Sequence, residues 1–336
     1  MKRKKRFNLN MVSSFTELLT QDVQTINKAL VKTFSDFDVP SMWYQLAKQH
    51  VLEGGKRIRP VMCIETSKTL DGEKDNVLQA ALAVELLHNA SLIHDDIVDR
   101  DRIRRGKPTI AAQFDDFTAM LVGDLLFSTS FKIASRYYSD PRIFEALSDA
   151  VFSMVNGGSL GIKLRSEINV SESTYIEVAQ QKTAALFRAA SVIGAVCAGA
   201  EQSKIDLMSN FGTKLGVAFQ IKDDLLGLLG KEEETGKPVN SDLRNREKTL
   251  IAIHALNNAT GNNEKILKRF FSGREDDGVT PTQVKEIFEQ VGSIDYAIEK
   301  SWLLVNEARS TIADLPSSQS KDLLSYICDF AVTRSK

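Results

Sequence analysis

Apolar residues recur every three to four positions over most of the chain, and no stretch alternates apolar and polar residues long enough to make a strand. The pattern is sharpest over residues 76–99, where Val77, Leu78, Ala81, Leu82, Val84 and Leu86 supply apolar faces and Asp75 or Asn76 stands where an N-cap is needed. Gly106 and Pro108 predict the end of this helical run just after Arg105. Further helices fit residues 41–53, 114–137, 142–165, 173–199, 203–229, 247–258, 263–272, 281–289 and 291–313. Residues 230–248 are polar and read as a loop. No Pro/Ser-rich linker and no fixed-period repeat divides the chain. The expectation is an all-α fold in a single domain over residues 1–336, with residues 1–10 as a flexible basic tail.

Composition narrows the function. The 336 residues are 43% hydrophobic and 26% charged, the balance of an ordinary globular protein. A formal net charge of −1 gives no overall attraction to nucleic acid, so any polyanion site must come from local clusters of bases. Cys63, Cys197 and Cys328 form no CxxC pair, which argues against a disulfide framework or a zinc site and suits the cytoplasm. His50, His88, His94 and His254 lack the spacing of a histidine metal cage. The start, MKRKKR, has no apolar stretch behind it and is not a secretory signal; it reads as a solvated tail, with weak contact to an anionic membrane surface as the alternative. The most apolar run, residues 189–200, is too short to span a membrane, which needs about 20 residues, so no integral membrane segment is expected.

The candidate chemistry lies in three places. The first is Ser91-Leu92-Ile93-His94-Asp95-Asp96-Ile97-Val98-Asp99, followed by Arg104-Arg105-Gly106-Lys107-Pro108-Thr109. On a helix Asp95 and Asp99 project from one face, about 6 Å apart along the axis. Two carboxylates so placed repel unless a cation lies between them, and their oxygens suit magnesium, which also takes phosphate oxygens as ligands. Followed backwards, the same face carries Ser91, His88 and Val84 and grows steadily less polar. The second is Phe219-Gln220-Ile221-Lys222-Asp223-Asp224, an acidic pair ending an apolar helix, with Lys237 and Lys248 in the polar loop beyond. Two acidic pairs, each close to bases, are what a diphosphate bridged by magnesium requires. The third, Gly54-Gly55-Lys56-Arg57-Ile58-Arg59-Pro60, is a basic loop at a glycine turn, without the spacing of a nucleotide-binding P-loop.

GGKRIRP, HDDIVD with RRGKPT, Lys182-Thr183-Ala184-Ala185-Leu186 and FQIKDD stand in the order they take in trans-type polyprenyl diphosphate synthases, a family the chain resembles from about residue 40 to its C-terminus. The resemblance implies one bundle of helices around a central cavity, an isoprenoid synthase-like fold. It further implies a prenyltransferase that condenses isopentenyl diphosphate with an allylic diphosphate, using two or three Mg2+ ions. Asp95, Asp99 and Asp223 would bind the metal. Arg104, Lys182, Thr183, Gln220 and Lys237 would hold the allylic diphosphate, and Lys56, Arg59, His88 and Arg105 the isopentenyl diphosphate. A homodimer is also implied, in keeping with the prevalence of two-fold oligomers.

The chain departs from the family pattern in three respects. The second motif ends in Gly227 where a third carboxylate is usual, the middle helix reads Gly157-Gly158-Ser159 in place of a Gly-Glu or Gly-Gln step, and the loop before Lys248 is one residue longer. A terpene cyclase would not need the second diphosphate site that Lys56, Arg59 and Arg105 provide. An inactive partner subunit of a two-chain synthase would be expected to lack the first aspartate motif. In related synthases bulky residues just below that motif limit product length. Here they are Ala90 and Ser91, which predicts a product of at least twenty carbons, geranylgeranyl diphosphate or longer, with Leu86 and Leu87 or a neighbouring helix as the floor.

Overall fold

In a computed structural model the described residues are 9–36, 39, 41–165, 167–230, 241–272 and 278–335. Their helices are α1 (Leu9–Asp36), α2 (Met42–Leu52), α3 (Ile58–Thr69), α4 (Lys74–Val98), α5 (Ile110–Gln113), α6 (Asp116–Tyr137), α7 (Pro141–Leu164), α8 (Glu172–Ala179), α9 (Ala185–Cys197) and α10 (Gln202–Leu229). After residues 231–240 come α11 (Ser241–Arg244), α12 (Leu250–Asn258), α13 (Gly261–Phe271), α14 (Pro281–Gln290), α15 (Ser293–Thr311) and α16 (Gln319–Thr333). The expected all-α class holds. Among the described residues the strands are two short ones, β1 (Ile103–Arg104) and β2 (Lys107–Pro108), paired antiparallel across the Arg105-Gly106 turn.

Three long helices, α1, α3 and α16, go beyond the sequence-based expectation, as do the one-turn α5 and α11, the latter inside the stretch read as a loop. Phe15, Leu18, Leu19, Val23, Ile26, Leu30 and Phe34 carry the helical period that α1 lays on the core. Pro60 reads as a breaker, yet it sits in the first turn of α3, where its missing N–H has no helical partner to lose. Helix α16 packs on α3 and α15.

Two ends also move. Helix α4 starts two residues early, with Glu73 at the N-cap instead of Asp75 or Asn76. It stops at Val98, well before Arg105. Arg100 turns left-handed (φ 55°), so Asp101 N–H bonds Asp96 C=O at 2.9 Å and Arg100 N–H bonds Ile97 C=O at 3.2 Å, a Schellman closure. This frees residues 99–109 for the turn that carries Arg104 and Arg105.

The expected helix over 173–199 is broken by a π-helical segment, Gln180–Ala184, between α8 and α9. Glycines permit it. A Cβ on Gly157 of α7 would lie 2.6 Å from the Lys182 nitrogen, and one on Gly216 of α10 would lie 2.5 Å from Ala184 Cα. The Gly157 position is thereby explained as a close approach of α7 to the segment that bears Lys182 and Thr183.

The apolar residues form two clusters. The larger joins α1–α4, α6, α7, α9, α10, α15 and α16; the smaller packs α12, α13 and α14 against α8 and α10. Helix α10 contributes Leu215, Ala218 and Phe219 to the first and Val217, Ile221 and Leu225 to the second. Among the described residues, α6 is long and apolar enough to cross a membrane, but half of its most apolar stretch is buried in the bundle.

Candidate active site

The C-terminal end of α4, the π-segment and α10 carry the acidic residues. Asp95 and Asp99 are both half-buried at the end of α4. Lys182 Nζ lies 3.8 Å from Asp95, so the π-segment delivers the expected lysine to the first aspartate motif. Desolvation would lower the Lys182 pKa, but Asp95, Asp99 and Glu247 outweigh it and hold the ammonium above its ordinary value. Thr183 Oγ1 donates to Gln220 Oε1, and Gln220 Nε2 donates to Asp224 at 2.7 Å. Thr183 and Gln220 are thus joined to each other, and Lys182 stands beside Asp95. Lys237 lies outside the described residues.

Asp223 stands apart. It pairs with Arg334 at 2.8 Å, and among the described residues no three acidic, histidine or cysteine side chains gather as one metal cluster. The three carboxylates are instead each met by a cation: Asp95 by Lys182, Asp99 by Arg165 at 2.8 Å, and Asp223 by Arg334. This donor set fits magnesium. Hard oxygens come in ones and twos from separate helices, which leaves places for water and for phosphate oxygens.

Several partners here carried no sequence signal, because they are distant in the chain. Arg165, at the end of α7, bridges Asp99 and Glu247, the latter at 2.6 Å. Lys248 is buried and donates to the Arg165 carbonyl, which settles where the lengthened loop places it. Arg334 stacks on Phe219 at 3.8 Å from the ring centroid. Tyr175 holds Asp224 at 2.7 Å, so the second acid of that pair is a buried structural group.

Asp96 is likewise inside, 3% exposed, and takes Arg104 Nε at 2.7 Å and Nη2 at 2.6 Å on one oxygen. Desolvation opposes the charge of Arg104, but Asp96, Asp101 and Asp95 raise its pKa further. Arg104 is therefore clamped by the middle aspartate of the motif through Nε and Nη2.

A second basic group gathers around the Gly54-Gly55 turn. Arg105, left-handed at φ 54°, donates from Nη1 to Gly54 C=O at 2.7 Å. Arg59, on α3, meets His88 of α4 at 3.2 Å and lies over the Phe187 ring at 4.4 Å. Lys56 faces the Phe330 ring of α16 at 5.9 Å. Burial, followed by the charges of Arg59 and Arg105, holds the His88 imidazole well below its ordinary pKa, so it is neutral. Since Arg59 can only donate, His88 Nε2 accepts and Nδ1 carries the proton. Burial also brings Arg59 down to about 10.

Of the two residues expected below the first motif, Ala90 has no exposed surface and lies in the main core, as do Leu86 and Leu87. Ser91 is half-buried and donates to His88 C=O at 2.8 Å. The two neighbours thus stand in different surroundings, as residues about 100° apart on a helix do.

Comparisons with known proteins identify the family. The family model described as polyprenyl synthetase matches residues 41–291. Geranylgeranyl diphosphate synthase of Sulfolobus acidocaldarius is 32% identical over 97% of this chain and 100% of its own length. Geranylfarnesyl diphosphate synthase of Aeropyrum pernix is 35% identical over 86% of this chain and 94% of its own. The crystal structure of geranylgeranyl pyrophosphate synthetase from Pyrococcus horikoshii superposes with a TM-score of 0.87 at 32% identity, covering 96% of this chain and 99% of that one. On sequence, fold and motif order together, the chain belongs to the polyprenyl synthetase family.

Proposed function

We propose that the protein is a magnesium-dependent prenyltransferase that joins isopentenyl diphosphate to an allylic diphosphate and yields a trans-polyprenyl diphosphate of twenty carbons or more. The observation that supports this reading is two separate sets of basic and polar side chains suited to a phosphate. One is Lys182, Thr183 and Gln220 beside Asp95; the other is Arg59, His88 and Arg105 at the Gly54-Gly55 turn, joined by Lys56. A terpene cyclase would need only the first.

Asp95, Asp99 and Asp223 would hold Mg2+, which when bound stabilises the negative charge of the departing diphosphate. Lys182, Thr183, Gln220 and Arg104 bind that same diphosphate and are preorganised for its charge. Lys56, Arg59, Arg105 and the Nδ1–H of His88 orient isopentenyl diphosphate so that its double bond faces the allylic carbon. The allylic C–O bond breaks, a C–C bond forms, and a proton leaves the added unit. Release of inorganic diphosphate should require both substrates; release from the allylic substrate alone at the same rate would favour a cyclase.

The tail of the growing product would run past Ser91. Ser91→Phe should then shift products to fewer carbons, read by chromatography of the dephosphorylated alcohols. An active, folded variant with an unchanged product distribution would put the floor elsewhere. Ala90→Phe is the poorer test, because a ring in the packed core destabilises by about 1–3 kcal/mol on its own account.

A homodimer is supported by an uncovered apolar face. Phe114 just before α6, Phe117 and Met120 in its first turns, and Phe152, Val155 and Ile162 on the adjoining α7 are all exposed. Light scattering should return twice the chain mass, and Phe152→Glu should reduce it to one; a monomeric parent protein would refute the assignment. The span of α10 across both cores supports folding as a single unit. Three cysteines that form no disulfide among the described residues support the cytoplasm as its compartment.

A further inference from the structure

The Gly54-Gly55 turn holds like charges close together. A Cβ on Gly55 would lie 3.1 Å from Arg105 Nη2 and 3.3 Å from Arg57 Nη1, so both guanidinium groups press on the same backbone. Arg59 and Lys56 are on the same short segment. Such a cluster repels itself in the absence of a diphosphate, and something fixed must hold it in place.

Arg57 and Glu85 fill that role. Arg57 is buried, left-handed at φ 53°, and caps α3. Its Nη1 meets Glu85 Oε1 at 2.5 Å, its Nη2 donates to Val51 C=O at 2.5 Å, and its Nε donates to Asn27 Oδ1 of α1 at 3.0 Å. Glu85 is 2% exposed, lies on α4 three residues before His88, and takes Asn89 Nδ2 at 3.0 Å. One buried carboxylate therefore ties the turn that bears Lys56, and the start of α3 that bears Arg59, to the helix that bears His88 and Asp95.

We infer that Glu85 is a positioning residue for the isopentenyl diphosphate subsite, acting through Arg57 to fix the Gly54-Gly55 turn and the start of α3 on α4 and to offset the repulsion among their bases. The inference rests on the proposed reading of that subsite. An ordinary buried ion pair would add no more than stability, and apolar residues of similar volume often replace such pairs without loss. The positioning role differs, because the charge of Glu85 acts on the ligand-binding cations as well as on the fold.

The test is steady-state kinetics of the full chain with both substrates and magnesium, alongside thermal melting. Glu85→Gln keeps shape and hydrogen bonding but removes the charge. It should raise KM for isopentenyl diphosphate about tenfold, the order expected when a charge-assisted hydrogen bond becomes a neutral one, and leave KM for the allylic diphosphate within about twofold. The double variant Arg57→Met/Glu85→Leu should recover the melting temperature but keep the raised isopentenyl KM. Arg59→Met serves as the control. If it raises that KM while Glu85→Gln and the double variant leave it unchanged, the positioning role is overturned and the subsite stands. If Arg59→Met also leaves it unchanged, the subsite reading fails and the inference with it.

Discussion

Asp95→Ala and Asp99→Ala are each expected to lower kcat by about a hundredfold or more, the usual scale for removing one electrostatic stabiliser from a preorganised site. Stability should hardly change. Both side chains are partly exposed, and ion pairs of that kind, here with Lys182 and Arg165, contribute about 0–1 kcal/mol. The loss should therefore appear in turnover while helical content and melting temperature stay near those of the parent protein. The reason is differential: groups that hold metal against a leaving diphosphate act mainly in the transition state. Near-native rates for both variants across a magnesium titration would remove the first aspartate motif from the chemistry.

Asp96→Ala should behave in the opposite way, with stability affected first. Asp96 is buried, and the alanine would leave the Arg104 guanidinium enclosed without its carboxylate, which costs about 3–5 kcal/mol in comparable pairs. Urea unfolding monitored by far-ultraviolet circular dichroism would measure it directly. The midpoint should fall well below that of Asp95→Ala, and turnover should fall as well because Arg104 loses its support. Equal midpoints for the two alanine variants would mean that Asp96 is not the clamp described here. Two adjacent aspartates in one motif would thus be separable, one by kinetics and the other by denaturation.

Much of this was legible in the sequence, for physical reasons. Helical periodicity depends on burial of one face, so α2, α6, α7, α10, α12–α15 and most of α4 could be placed to within a few residues. The DDxxD spacing fixes Asp95 and Asp99 on one face whatever surrounds them. Lys182 near Asp95, and Arg105 beside the Gly54-Gly55 turn, followed from the motif resemblance. What was not legible depends on contacts between distant parts of the chain. Arg165 meets Asp99 across 66 positions, and Arg334 meets Asp223 from the far end of the fold; neither carries a local signal. The π-segment was hidden because its residues also suit an α-helix, and only the close approach of α7 and α10 at Gly157 and Gly216 reveals why the register changes there. The misplaced end of α4 has a simpler cause. Gly106 and Pro108 are strong stop signals, but Arg100 accepts a left-handed turn earlier, which a residue other than glycine or asparagine does not advertise.

The measurement that bears most directly on the central claim is the fate of labelled isopentenyl diphosphate. Purified protein is incubated with it, an allylic diphosphate primer and magnesium, and the products are dephosphorylated and separated by chain length. The account predicts label in polyprenyl alcohols of at least twenty carbons, formed only when the primer, isopentenyl diphosphate and magnesium are all present. Primer consumed without incorporation of label, or no turnover of either substrate by folded protein, would contradict it.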